Sequence, residues 1–231
     1  MARFDVVADH YDAFCDTELG AFVDLVERQL IMELLDPLPH ERIIDLGCGT
    51  GTYTVLIANR GCDLVGIDES EAMLARAVRK PIINGHVHYQ RTDLTNLPGP
   101  SAMFDAGLMQ VTLEFVSDPK SAMREAVRVI KPKGRLVLGL IHGPGPWAQS
   151  YRVRALADTT SVYHGARFWT IPEVNALLGA EPSSVRSGLY VAPNEFTTTQ
   201  QAWALEYRYR VQRPLNDAGF VVLRYNLETL R

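Results

Sequence analysis

Asp45, Gly47, Gly49 and Gly51 alternate along the run Ile43 to Gly51, which reads Ile-Ile-Asp-Leu-Gly-Cys-Gly-Thr-Gly. An acid followed by alternate glycines can do binding chemistry. Removing every second Cβ lets the backbone turn sharply and lie against a ligand. Dinucleotide sites use the spacing G-x-G-x-x-G and rest a diphosphate on a helix N-terminus. Here the spacing is G-x-G-x-G, and an acid at the turn suits a cationic ligand better than a diphosphate. Cys48 sits between two of the glycines and reads as a small residue of a tight turn, not as a nucleophile. Further on, Asp68 with its neighbour Glu69 closes a second apolar run. An acid at about that distance along a βαβ unit accepts hydrogen bonds from a ribose diol.

These residues need elements to hold them. Ile43 to Leu46 reads as a first strand and Asp63 to Ile67, ending at Asp68, as a second. Val87 to Gln90 is a third, leading to Asp93. Phe104 to Met109 is a fourth, leading to Gln110, and Arg135 to Leu140 is a fifth. Short, continuous apolar runs suit a parallel sheet covered on both faces. A helix follows the glycine turn from Thr52 to Asn59. Another starts at Asp118 and Pro119, shows Met123, Ala126, Val127 and Ile130 on one face, and is expected to stop at Pro132 and Gly134. Before the sheet, Phe22, Leu25, Val26, Leu30 and Leu34 predict an amphipathic helix over Glu18 to Leu35. After it, Gly143-Pro144-Gly145-Pro146 breaks the regular order, and residues 147–180 read as a helical cap rich in aromatics and arginine. Two more strands are expected at Val185 to Val191 and Phe220 to Leu227, separated by a helix around Ala202 to Val211. The fold class is therefore α/β, a doubly wound, mostly parallel seven-stranded sheet with a helical cap. It forms one domain over 1–231, with an N-terminal lid and helix at 1–35 and the cap at 143–180.

The ordered set from residue 41 to 140 closely resembles class I S-adenosylmethionine-dependent methyltransferases, of the type 11 small-molecule kind. That resemblance implies a Rossmann-like methyltransferase fold and S-adenosylmethionine as cofactor, with S-adenosylhomocysteine as product. It assigns Asp45, Gly47, Cys48, Gly49, Asp68 and Glu69 to cofactor binding, with Asp68 on the ribose. Met73 lies against the adenosine, Asp93 accepts the adenine amino group, and the backbone amide of Leu94 meets a ring nitrogen. Leu97-Pro98 also fits the family. Gln110 meets the methionyl portion. Tyr11, in His10-Tyr11-Asp12, matches a Tyr-Asp pair of many relatives, and its ring could close over the sulfonium. The resemblance stops short of the cap, where the acceptor would sit.

The methyl group of this cofactor is already activated, so the protein must chiefly align the acceptor and exclude water. A base is required only if the acceptor carries a proton at neutral pH. Candidates are Glu114, His142, His164 and Tyr11. Glu114 occupies a position where many small-molecule relatives have histidine. Trp147, Tyr151, Tyr163, Phe168 and Trp169 concentrate in one segment near Arg167. Trp147, Tyr151, Arg167 and Trp169 are the expected acceptor contacts, aromatic walls with one polar group, and Arg167 could pair with a carboxylate or a developing oxyanion. The stretch Leu108 to Val111 lacks the Pro-Pro-aromatic run of amino-methyltransferases acting on bases. No Pro-Cys pair follows it, and no acidic cluster suggests a metal.

With 231 residues, 47% hydrophobic and 22% charged, the chain has ordinary globular composition. A net charge of −4 gives no long-range attraction to nucleic acid or an anionic membrane. The basic run Arg208, Arg210 and Arg213 reads as a solvated helix face. Three cysteines without a C-x-x-C pair, and no signal-like start, suit a reducing compartment, so a cytoplasmic location is expected. No run approaches membrane-spanning length. The expected partner is a small-molecule acceptor. An RNA or protein methyltransferase, or a non-catalytic cofactor-binding module, is the alternative.

Overall fold

A computed structural model describes residues 2–229. The domain expected over 1–231 therefore includes Met1, Leu230 and Arg231, which lie outside the described residues. Seven strands form one sheet: β1 (Arg42–Leu46), β2 (Asp63–Asp68), β3 (His86–Arg91), β4 (Phe104–Gln110), β5 (Ile130–Ile141), β6 (Ser184–Gly188) and β7 (Phe220–Asn226). Their order is β3-β2-β1-β4-β5-β7-β6. β1 to β5 run parallel, β7 lies antiparallel to β5, and β6 antiparallel to β7. This is the doubly wound, mostly parallel seven-stranded sheet that the sequence predicts. The order reverses between β1 and β4, and ligands of such sheets bind outside the strand ends at that reversal.

Alternation along each strand builds two cores. Ile43, Leu108 and Val137 belong to one, and their neighbours Ile44, Met109 and Leu138 to the other, because successive strand residues point to opposite faces. The long helix α1 (Glu18–Leu35) closes the first face with Phe22, Val26, Leu30 and Ile31. Thr17 caps it by accepting the Gly20 N–H at 3.0 Å. α2 (Thr52–Ala58) and α7 (Thr199–Gln212) lie on the same side, through Ile57 and Ala202. The other core takes α4 (Pro119–Val129), capped by Asp118, and α6 (Ile171–Leu178). α3 (Glu71–Ala77) follows β2, and α5 (Pro146–Ala157) follows β5. Among the described residues, no helix is long and apolar enough to cross a membrane.

Two expectations need correction. α4 ends at Val129, before Pro132, because Ile130 is already extended and pairs with Phe104. Its side chain fills the space above Gly107 and Gly134, where an added Cβ would stand 2.7 and 2.5 Å away. The cap is also shorter than 143–180. From Trp169 onward the chain rejoins the sheet: Trp169 and Val174 are buried in the second core, and α6 packs against α4.

Candidate functional site

The glycine turn is held open by its neighbours. Gly47, Gly49 and Gly51 all have positive φ, at 78°, 53° and 77°, a region that only glycine enters cheaply. The amides of Gly47 and Cys48 both donate to the Ile67 carbonyl, at 2.7 and 2.9 Å, fixing the turn to the end of β2. A Cβ on Gly47 would strike the Thr112 methyl at 2.3 Å, and one on Gly51 the Tyr89 hydroxyl at 2.5 Å. A Cβ on Gly49 would meet nothing within 4 Å, because Gly49 faces a cavity of about 650 Å³.

Acids at the strand ends line that cavity. Asp68 accepts the Gly49 N–H at Oδ2 and the Ser70 N–H at Oδ1, both at 2.8 Å. Burial raises its pKa, and these two amides oppose the rise. Asp45 is almost fully buried and accepts the Thr54 hydroxyl at 2.6 Å. Burial pushes it up to about 7; the Thr54 bond opposes this and Asp68 adds to it. Asp93 turns its Oδ1 toward the Thr95 amide and hydroxyl, each at 2.8 Å, and lines the cavity with Leu94, Glu69 and the buried Met73. Gln110 Nε2 donates to Glu27 at 2.8 Å, while its buried Oε1 has no hydrogen-bond partner among the described residues. An open space beside Gly49, a carboxylate on fixed amides and an orphaned amide oxygen together fit a polar ligand lying along the strand ends.

The N-terminal segment roofs this space. Asp5 accepts the Ser70 hydroxyl at 2.6 Å, Asp9 pairs with Arg76, and Asp12 takes Lys80 at 2.9 Å and the Thr50 hydroxyl at 2.6 Å. On the far side, Arg3 Nη1 donates to the Val162 and His164 carbonyls at 3.0 and 2.8 Å. Phe4 stands edge-on to Phe115 and to Tyr11. One strap thus joins α3 and the glycine turn to the cap, with Tyr11 in the cavity wall.

Under the cap the same cavity becomes aromatic. Tyr151 and Tyr163 stack at 4.0 Å and 19°, with Trp147 and Phe115 beside them. Trp147 is anchored through Nε1 to the Val191 carbonyl at 2.9 Å. Tyr53 of α2 and Glu27 of α1 complete this end.

The structure thus brings together Tyr11, Asp45, Gly47, Cys48, Gly49, Asp68, Glu69, Met73, Asp93, Leu94, Gln110, Trp147 and Tyr151. Glu114, His142, Arg167 and Trp169 do not line the cavity. Glu114 is buried behind it, with Oε1 accepting the Ile141 N–H at 2.8 Å, and burial pushes its carboxyl up to about 8. His142 is buried with Nδ1 against the Ala218 carbonyl at 3.2 Å, and burial lowers its pKa. Trp169 is a core residue whose Nε1 donates to the Leu113 carbonyl at 3.1 Å. Arg167 lies over the Trp169 ring at 3.8 Å and pairs with Glu173 at 3.0 Å. His164 is exposed, and buried Phe168 lies under Arg152. Sequence reasoning missed Glu27, Tyr53, Phe4 and Arg3. Only Glu27 left a signal, an acid one helical turn from Val23 and one from Ile31 on the apolar face of α1.

Comparison with known proteins adds to this geometry. A family model described as a methyltransferase domain matches residues 44–138, from β1 into β5. A demethylmenaquinone methyltransferase of Corynebacterium kroppenstedtii is 35% identical over 183 residues, which are 78% of this chain and 72% of that one. Another from Clavibacter sepedonicus is 35% identical over 137 residues, 59% of this chain. The chain spans only 56% of that relative's length. Among solved structures, an S-adenosylmethionine-dependent methyltransferase of Thermotoga maritima, described as a possible histamine N-methyltransferase, superposes with a TM-score of 0.73. It is 25% identical, and the match covers 97% of this chain and 98% of that one.

Proposed function

The chain belongs to the class I S-adenosylmethionine-dependent methyltransferases, and on that premise we propose that it transfers a methyl group from S-adenosylmethionine to a small apolar or aromatic acceptor. When bound, this cofactor supplies an electrophilic methyl group on a sulfonium. Asp68 is the acceptor for the ribose hydroxyls, its carboxylate held in place by the Gly49 and Ser70 amides. Asp93 and the Leu94 amide read the adenine, with Met73 against the adenosine. Gly47 and Gly49 let the backbone approach closely, with Cys48, Asp45 and Glu69 completing the polar wall. Gln110 offers its unpaired Oε1 to the methionyl end. The ring of Tyr11 meets the sulfonium.

The observation that carries this reading is one continuous cavity, polar at the strand ends and aromatic under the cap. Its volume falls in the range of small-ligand sites, roughly 300–1,000 Å³. The aromatic end is partly covered by the strap that Arg3 ties to Val162 and His164, and its stacked tyrosines suit a flat small molecule better than an extended polyanion. Trp147 and Tyr151 are the acceptor contacts of this reading, joined by Tyr163. Demethylmenaquinone, named in the Corynebacterium and Clavibacter relatives, is the kind of molecule such a chamber suits. Labelled S-adenosylmethionine should pass its methyl group to a small-molecule extract. Label appearing only in RNA or protein would replace this acceptor class, and no label anywhere despite cofactor binding would favour a non-catalytic module.

A further inference from the structure

Glu27 is a carboxylic acid placed where the fold asks for an apolar residue. Val23, Val26, Leu30 and Ile31 surround it on the buried face of α1. Its side chain enters the cavity, and Oε2 accepts from the Gln110 amide, with no guanidinium or ammonium partner among the described residues. A half-buried carboxylate with no cationic partner among the described residues is costly to the fold, and glutamine would keep the bond to Gln110 without that cost. The acid function itself therefore calls for a use.

We propose that Glu27 is the general base of the chamber, and that the acceptor is a phenolic molecule whose hydroxyl proton it removes. This rests on the methyltransferase reading above. Three observations support it. The carboxylate lines the same cavity as Tyr53, Tyr151 and Tyr163, three side chains from three different segments, and its charge adds to the rise that burial causes in their phenols. Stacked Tyr151 and Tyr163 offer a flat wall for an aromatic ring. Burial, with Asp24 and Glu114 adding, pushes the Glu27 carboxyl up to about 8, against the opposing pull of Gln110 and Tyr53.

The remaining charged and titratable groups about Glu27 come from the strap, its own helix and the cap. Tyr11 and Cys15 approach from the strap, and the charge of Glu27 contributes to the upward shift of both. Arg28 lies next in α1, and Arg154 of α5 lines the cavity. A base of pKa near 8 matches a phenol, whose ordinary value is about 10. It is a poor match for an aliphatic alcohol. Proton transfer from a phenol to Glu27 leaves a neutral carboxyl beside the phenolate, which is the nucleophile.

The balance is one proton lost for each methyl gained. The hydroxyl proton passes to the Glu27 carboxylate, the phenolate electron pair forms the bond to the methyl carbon, and the carbon–sulfur pair stays on sulfur. If the new bond forms at oxygen, the transfer ends there. If it forms at a ring carbon, the ring proton leaves and the oxygen is reprotonated. Glu27 then releases its proton to solvent.

The test uses the full chain with 1-naphthol and 2-phenylethylamine as acceptor probes. S-adenosylmethionine binding is measured separately by calorimetry. The wild type is expected to methylate 1-naphthol and not the amine, with kcat/KM rising with pH through the region near 8. Glu27→Gln should lower kcat by roughly 10²–10⁴-fold, the usual range for a positioned base. It should also lose that rise and bind S-adenosylmethionine as the wild type does. Glu27→Asp should recover part of the rate. A Glu27→Gln enzyme with unchanged kcat and pH profile would overturn the proposal. So would turnover of the amine in preference to the phenol, or turnover of neither probe by a wild type that binds S-adenosylmethionine. A wild type that fails to bind S-adenosylmethionine would instead overturn the methyltransferase reading.

Discussion

The two ends of the cavity are built by different means. The strand-end half is made largely of backbone. Its shape comes from three positive-φ glycines, and its key carboxylate is clamped by two main-chain amides. Nearly all its residues lie within one stretch of chain, from β1 to the end of β4. The aromatic half is made of side chains. Phe4, Glu27, Tyr53, Phe115, Tyr151 and Tyr163 converge from the strap, α1, α2, the turn after β4 and the cap. A site made of backbone can stay fixed while a site made of side chains changes. That division lets one scaffold keep a common ligand and vary its partner.

Substitutions can separate the halves, and the largest effect is expected at Gly49. Gly49→Val puts a branched side chain into the open space beside the turn, at a φ of 53°. Calorimetry should then show no S-adenosylmethionine binding in a folded protein. Trp169→Ala should act on neither half. It opens a hole in the core and costs about 3–5 kcal/mol of stability, read as a lower denaturation midpoint with the acceptor KM unchanged. Asp68→Ala should weaken S-adenosylmethionine binding by roughly 1.5–3 kcal/mol, the value of hydrogen bonds to a charged group, and Asp68→Asn by less. Tyr151→Ala should raise the acceptor KM by a few-fold to about tenfold, from the roughly 0.5–1.5 kcal/mol of an aromatic pair, and leave cofactor affinity intact.

The smallest signal is a slope. Glu114 is held protonated by burial, its pKa raised from 4.5 to about 8. A carboxyl whose pKa is raised on folding contributes stability that is full below its unfolded value and is lost as pH rises through its folded value. The melting temperature of the wild type should therefore fall between about pH 5 and 8. Glu114→Gln should show a shallower fall, with the remaining slope owed to Asp45 and Glu27, which burial also raises.

The same division explains what could be read from the sequence. The glycine turn, Asp68 and Asp93 were legible because each sits at a strand end, where a short apolar run fixes its direction. The sheet followed from those runs, and α1 from its apolar period. The ending of α4 was not legible, since Ile130 leaves the helix to pair with Phe104, a partner distant in sequence. In the cap, the aromatic cluster was visible but not its sorting. Trp169 went to the core and Tyr163 to the cavity because α6 rejoins the sheet against α4, a tertiary fact that composition does not encode. Arg167 was drawn to Glu173 and to the Trp169 ring for the same reason. Glu27 was the one legible residue left unread, an acid inside an apolar stripe.

The central claim is that the backbone-built half takes the cofactor and the side-chain half takes the acceptor. A crystal structure with S-adenosylhomocysteine tests it most directly. The ribose hydroxyls should then lie on Asp68, the adenine beside Asp93 and Leu94, and the sulfur open toward Tyr53, Tyr151 and Tyr163. Density for the ligand among those aromatic rings, with the glycine turn and Asp68 untouched, would contradict it.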